Sequence, residues 1–403
     1  MGNPKTRAVL VGGLSMVRSF AGLGIPTLVI SRYARDVGRY SRYCDDWRTT
    51  FSNTDWDESR FLATLINIAE EGPDKPVLYY GDDPMLLFIA GHRDTLQNYY
   101  RFTMPEPELF QACYDKLTFA TLAGRYGLPT PNTVTSSTKL NSELIAQQIG
   151  FPCVFKPANR AGWFESEFIR LASKGRQKVL VANSLEECDR ALHAMNNYSE
   201  NYIVQEYIAG NEANVYSFHT YMPKNGNEPL WYVGKKIRTF PAVAGESSYV
   251  ELVNDPDLGA LGLAIVDKLG LTGPIKIDCK KDPRTGEFLI LEINLRFSLW
   301  NQLGSYCGVN LPLAAYLDNN HLQQPAIAAP YRTGVGRLDF GRDLRSFIRD
   351  YYPSRQLSIR SWLASLCREK ICSIFCWKDP LPFLMHNLGS LQRLPHKLIE
   401  RMS

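Results

Sequence analysis

The chain opens on a four-residue apolar run, Ala8–Val11, followed by Gly12-Gly13, a stretch of helical period and a second apolar run ending at Ile30. Short, wholly apolar runs on either side of a helix predict a βαβ unit in a parallel sheet, where strands are covered on both faces. A further apolar run, Pro76–Tyr80, leads into Gly81-Asp82-Asp83-Pro84 and another helical stretch. Together these elements predict a small Rossmann-like lobe over residues 1–112. Residues 115–127 read as a helix that begins at Asp115-Lys116 and is closed by Gly127, after which Leu128-Pro129-Thr130-Pro131 starts an extended segment. From there to Pro330 strands and helices alternate, with turn residues at Asn225-Gly226 and Arg284-Thr285-Gly286. That is an α+β pattern, assigned to residues 113–330. In residues 331–403 the apolar positions Trp362, Leu363, Leu366, Ile371, Phe375 and Trp377 recur at steps of three and four. A helical hairpin is expected there, broken at Pro380 and Pro382 before a shorter last helix.

The hairpin over residues 273–296 gives the strongest local signal. Its odd positions Ile275, Ile277, Cys279, Leu289, Leu291, Ile293 and Leu295 are all apolar. Because side chains alternate along a strand, these seven are expected on the buried face, with Asp278, Glu292, Asn294 and Arg296 opposite. Asp278 and Glu292 lie about equally far from the turn and should face each other or sit one step apart. Two carboxylates across a sheet repel unless their charge is offset. A hard divalent cation does so, and two carboxylates with an amide carbonyl suit Mg²⁺. Arg296, one pleat further, could grip phosphate oxygens bidentately. The plain alternative is a solvated polar face with a surface ion pair.

Three weaker features accompany it. Lys156 ends the apolar strand of Phe151-Pro-Cys-Val-Phe-Lys156. Residues 202–212 run from an apolar strand through Gln205-Glu206 and Tyr207-Ile208 to a Gly210 turn and Glu212. Such a linker can offer adenine an acceptor and backbone groups, and ribose a carboxylate. Lys235-Lys236-Ile237-Arg238 precedes a small-residue loop that could admit an anionic substrate, which makes Arg238 a second candidate catalytic cation. Taken singly, these read equally well as a solvated lysine, an ordinary strand and turn, and an exposed basic edge.

Composition adds boundaries. With 45% apolar and 21% charged residues the chain is ordinary globular material. The net charge of +4 is unevenly spread: residues 331–403 hold 13 Lys/Arg against 6 Asp/Glu, the rest 32 against 35. A basic tail suggests an anionic partner, but no recognition motif points to nucleic acid. No apolar run approaches a membrane span or a secretory leader. Nine cysteines, an odd number, read as reduced thiols of a cytoplasmic protein. Gly12-Gly13 lacks the G-x-G-x-x-G fingerprint, although Ser31-Arg32 at the second strand keeps an NADP-dependent oxidoreductase as an alternative.

At these residues the sequence resembles the ATP-grasp superfamily: Phe-Pro-x-Val-x-Lys-Pro, Gln-Glu-Tyr-Ile-x-Gly and Leu-Glu-Ile-Asn-x-Arg occur in that family's order. Within it the chain looks most like carboxylate–amine ligases of the D-aspartate ligase kind, which share the Gly-Gly-Leu-Ser start and the Tyr-Ser-Arg-Tyr stretch at residues 40–43. The resemblance implies a Rossmann-like lobe, a two-lobed ATP-grasp fold and a basic, mostly helical C-terminal segment. It also implies an ADP-forming ligase using ATP and one or two Mg²⁺ ions, with Mn²⁺ as a substitute. By position, Lys116 and Lys156 would contact phosphates; Gln205, Glu206, Tyr207 and Ile208 would hold adenine, and Glu212 ribose. Asp278, Glu292 and Asn294 would bind the metal, and Arg296 would stabilise an acyl phosphate. The substrates would be a carboxylate and an amine; a phosphate group on one of them and a homodimer are left open. Ala158-Asn-Arg-Ala-Gly-Trp163 departs from the glycine-rich phosphate loop of many members. A non-catalytic nucleotide-binding regulator is the alternative outside catalysis.

Overall fold

A computed structural model describes residues 6–31, 36–50, 56–158, 179–224, 226–325 and 330–391. Arg32, Asn225 and all but the first residue of the 158–163 loop lie outside them. The first strands β1 (Ala8–Val11), β2 (Thr27–Ser31), β3 (Asp46–Thr49) and β4 (Val77–Tyr80) form an all-parallel sheet in the order β3-β2-β1-β4. β1, β2 and β4 are buried along their whole length, which is why they read as unbroken apolar runs.

A second, four-stranded antiparallel sheet has the order β5-β8-β6-β7, from β5 (Thr133–Thr135), β6 (Cys153–Pro157), β7 (Leu180–Ala182) and β8 (Tyr202–Glu206). It has its own core, in which Ile145, Leu192 and Met195 of two helices meet Phe155 and Val204. The third sheet has seven strands: β9 (Val215–Met222), β10 (Leu230–Phe240), β11 (Glu246–Val253), β12 (Gly273–Lys281), β13 (Phe288–Asn294), β14 (Gly336–Leu338) and β15 (Lys370–Cys372). Their order is β13-β12-β9-β10-β11-β14-β15, antiparallel except for the parallel pair β14–β15. Fully buried Phe218, Val233 and Ile277 pack beneath it against the helix Pro256–Leu269. Each such side chain contributes about 1.5–3 kcal/mol of burial.

The first lobe is welded to this large sheet. The Tyr79 hydroxyl donates to the Pro312 carbonyl (3.0 Å), and Phe297 packs 5.3 Å from the Tyr79 ring. The carboxyl ends of β1 and β4 therefore open at Gly12-Gly13 and Gly81-Asp82 onto the cleft between lobe and sheet, where open α/β sheets place their ligands.

The C-terminal segment differs from the expected helical hairpin. A helix does cover Ile359–Leu366, but Ile371 lies in β15, which pairs with β14 and extends the large sheet. Helical spacing misled here because β15 is only three residues long, too short to display a period of two. The last helix, Leu381–Leu391, begins beside Pro380 and Pro382 as expected, but at 11 residues it is longer than the 8-residue helix before it, not shorter. Between the two helices Asp379, 1% exposed, accepts bonds from Arg18 Nε (3.0 Å), Ser41 Oγ (2.8 Å) and the Arg42 amide (2.9 Å). Residues 40–43 thus fasten the tail to the first lobe.

Candidate functional site

Two adjoining cavities lie in the cleft, one of about 180 Å³ and one of about 530 Å³. Both are lined by Lys116, Lys236, Gly245, Asp278, Leu291 and Glu292, so they meet at these residues.

The smaller cavity is a slot between the four-stranded and the seven-stranded sheet. Val154, Val181, Ile208, Val215 and Leu291 give it apolar walls, and all seven predicted nucleotide residues line it: Lys116, Lys156, Gln205, Glu206, Tyr207, Ile208 and Glu212. Their placement follows from local structure. Asp115 caps the helix Lys116–Tyr126, accepting from the amides of Leu117 (2.9 Å) and Thr118 (3.1 Å), and Gly127 closes it in the left-handed conformation at φ 56°. Lys116 is therefore the first helical residue, and its Nζ reaches the Ala158 carbonyl at 3.3 Å. Lys156 Nζ donates to Gln205 Oε1 at 2.6 Å, and Gln205 in turn donates to Thr133 Oγ1 at 2.9 Å. The chain leaves β8 at Glu206, whose carboxylate accepts from Arg284 at 2.6 Å. Glu212 accepts from the Ala244 amide at 3.0 Å and so ties the 241–245 loop over the slot. A Cβ at Gly245 would stand 1.9 Å from the Pro241 carbonyl oxygen, so only glycine lets this loop close on itself.

The acidic set lies where the two cavities join. Asp278 faces Glu292 in direct register, and Lys276 faces Asn294. One correction concerns the apolar face. A register shift after Asp278 sets Cys279 opposite Ile290, so Leu291 is an extra residue on β13. Phe288 and Ile290 are buried in place of Leu289 and Leu291, and Leu291 turns into the cavities beside Glu292. The bulge thus puts an apolar wall and a carboxylate side by side. Asp278, 3% exposed, accepts from Lys276 at 2.6 Å and from the Ser217 hydroxyl, while Glu292 accepts from the Asn294 amide at 3.3 Å. Among the described residues no cluster of three His, Cys, Asp or Glu exists. The donors here are two carboxylates and an amide oxygen, a hard set that fits Mg²⁺ better than a soft metal. Lys276 offsets the charge of Asp278.

The larger cavity carries most of the charge. Arg296 lines it and is bonded to Asp83, at the start of the helix Asp83–Gly91. Arg342 also lines it and pairs with Glu246 at 2.8 Å. His219 lies beneath, stacked between Tyr232 (4.7 Å) and Trp300 (5.0 Å). Burial, and then the Lys276 charge, push its pKa well below 6.5, so it stays neutral.

Arg238 is not brought to the site. The β10–β11 register shifts between Lys236 and Arg238, so Ile237 is an extra residue and Arg238 turns to the opposite side from Lys236. It lies 3% exposed over the Tyr249 ring (4.9 Å), forked onto Asp343 at 2.8 and 2.9 Å, and lines neither cavity. Lys236, two residues earlier, is the cation that faces both. Sequence reasoning also passed over Lys276 and Lys280, although their even numbering puts them on the strand face of Asp278. Lys280 is 9% exposed in the slot, where burial lowers its pKa against the pull of Glu212 and Asp282.

This arrangement resembles that of the ATP-grasp proteins, and the sequence is similar to two ligases. No family model matches the sequence. It is 27% identical over 285 residues to the D-aspartate ligase of Enterococcus faecium, covering 68% of this chain and 66% of that one. Over 187 residues it is 25% identical to a D-alanine--D-alanine ligase of Stutzerimonas stutzeri, covering 45% and 54%. The matched regions therefore span less than two thirds of either relative. Among solved structures, the fold resembles the biotin carboxylase domain of a Hydrogenobacter thermophilus 2-oxoglutarate carboxylase bound to MgADP and bicarbonate. The TM-score is 0.61 at 15% identity, over 83% of this chain and 74% of that one.

Proposed function

We propose that the protein is an ATP-dependent, ADP-forming ligase that activates a carboxylate and joins it to an amine. The observation that carries this reading is the meeting of the two cavities at Asp278 and Glu292. An apolar slot edged by Glu206, Ile208 and Glu212 ends at a hard-oxygen acidic pair, beyond which opens a chamber lined by charges of both signs, Arg296 and Lys276 among them. ATP in the slot directs its triphosphate along Lys116 and Lys156 toward the chamber. Asp278, Glu292 and Asn294 would hold Mg²⁺, which would supply neutralisation of phosphate charge. The substrate carboxylate oxygen attacks the γ-phosphorus and ADP leaves, giving an acyl phosphate. The amine then attacks the carbonyl carbon, phosphate departs with the C–O electron pair, and the amine loses a proton. Arg296 and Lys276 lie where both phosphate and the developing oxyanion need cations, and Glu212 with the 241–245 loop keeps water from the slot.

In this reading residues 1–112 and 113–330 are the lobes of the machine, and residues 331–391 complete its central sheet. All nine cysteines are free thiols, and no described helix is long and apolar enough to cross a membrane. The free thiols suit the reducing cytoplasm, where ATP is supplied.

The test is a pair of measurements on the whole chain. Mg-ATP at about 100 times its Kd should add about 2.7 kcal/mol of stability. Panels of carboxylates and amines should then release phosphate only as matched pairs. Failure of millimolar Mg-ATP to raise the melting temperature would remove the reading.

A further inference from the structure

Among the described residues three arginines are buried: Arg18 at 7% exposure, Arg238 at 3% and Arg337 at 6%. The first two meet buried carboxylates of the same chain, Asp379 at 3.0 Å and Asp343 at 2.8 Å. Arg337 meets none. Its Nε is buried without a hydrogen-bond partner among the described residues, and its side chain lines the larger cavity. It is firmly placed, because β14 is an inner strand: Arg337 pairs with Val250 of β11 on one side and Ile371 of β15 on the other. The ring of Tyr249 fills the space where a Cβ at Gly336 would be, which pins the strand one residue earlier. Burial lowers the Arg337 pKa to about 10, with Asp339 opposing and Arg342 adding, so the group is still a cation at neutral pH.

A buried, unpaired cation is unfavourable unless an anion joins it. Arg342 lines the same cavity, paired there with Glu246 at 2.8 Å, and Ser247 contributes a hydroxyl. β14 stands four and five strand intervals from β12 and β13, roughly 19–24 Å along the curved sheet. The oxyanion it would hold is therefore not the reacting group. Resting on the ligase reading for the identity of its owner, we infer that Arg337, with Arg342 beside it, is an anchoring subsite for a second, unreactive oxyanion of the substrate, a carboxylate or a phosphate monoester. The basic C-terminal segment supplies the subsite through Arg337 and Arg342. Arg345 and Arg349 line neither cavity.

The test uses intact protein saturated with Mg-ADP, titrated with succinate and, separately, with inorganic phosphate. Wild type binds at least one probe, and the tighter one assigns the group as carboxylate or phosphate. Arg337→Met should weaken that binding by roughly thirty-fold or more, the scale for removing one partner of a buried charge pair, with Arg337→Lys in between. Without probe, Arg337→Met should melt about 1–3 °C above wild type, because an unpaired buried charge has gone. Should Arg337→Met and Arg337→Lys bind both probes as wild type does, or wild type bind neither, the subsite is wrong. A lower melting point with unchanged probe binding gives Arg337 a structural role instead. Turnover is not read here. Probe binding through Arg337 in a protein that never forms ADP would end the ligase reading and keep the subsite.

Discussion

Arg238 and Asp343 give the sharpest test of how the site was assigned. Asp343 is fully buried and takes four hydrogen bonds: two from the Arg238 guanidinium (2.8 and 2.9 Å), one from Ser248 Oγ (3.0 Å) and one from Trp362 Nε1 (2.9 Å). Summing four charge-assisted bonds would overstate the loss, because desolvation of both ions is already spent. The relevant figure is the cost of stranding one buried charge, about 3–5 kcal/mol. Arg238→Met and Asp343→Asn should each lose that much, lowering the urea midpoint. At roughly 0.85 kcal/mol per degree of unfolding entropy for 403 residues, the melting temperature should fall by about 4–6 °C. Arg238→Met/Asp343→Leu should lose less than the two single losses added, since no ion is left alone and only the Ser248 and Trp362 donors are orphaned. Nucleotide binding at a temperature where both variants are folded should match wild type. Unchanged unfolding of Arg238→Met, together with a hundred-fold fall in turnover, would refute the reasoning and return Arg238 to catalysis.

Three further outcomes are expected. Glu292→Ala should abolish ADP formation with little change in unfolding, since a lost metal ligand cannot be replaced by positioning; more than about a tenth of wild-type rate would contradict the metal role. Gly245→Ala must displace the 241–245 loop and with it the Ala244–Glu212 bond, so the KM for ATP should rise at least several-fold in steady-state assays while kcat changes less. The chain Arg7–Glu71–Arg48–Asp46 carries a pH-dependent increment. Burial disfavours both carboxylates, but bonds from Arg48 to Asp46 and from Arg7 and Arg48 to Glu71 outweigh it, leaving both below their ordinary 3.8 and 4.5. Folded pKa values below the unfolded ones mean stability present above about pH 4.5 and lost as pH falls through the folded values. At more than one-third exposure it should not exceed about 1 kcal/mol. Unfolding of wild type against Arg48→Ala from pH 7 to pH 3 reads it, and a gap that widens on acidification would reverse the sign.

The sequence by itself determined the elements whose signals are local. Unbroken apolar runs marked β1 and β4, a cap and a glycine bounded the helix of Lys116, and strand alternation with a central turn set Asp278 opposite Glu292. All seven residues expected at the nucleotide line one slot because a helix start, a strand end and one linker carry them there. Tertiary structure decided what depends on a partner strand. Bulges at Leu291 and Ile237 cannot be read from one strand, since each exists only as a mismatch with its neighbour. They turned Leu291 toward the site and Arg238 away from it. The same holds for β15, which is a strand only because β14 offers an edge, and for the three buried arginines, alike in sequence. Whether such a cation is a structural ion or an anchoring group is settled by what stands opposite it after folding. Asp379 and Asp343 stand opposite Arg18 and Arg238, and open cavity stands opposite Arg337.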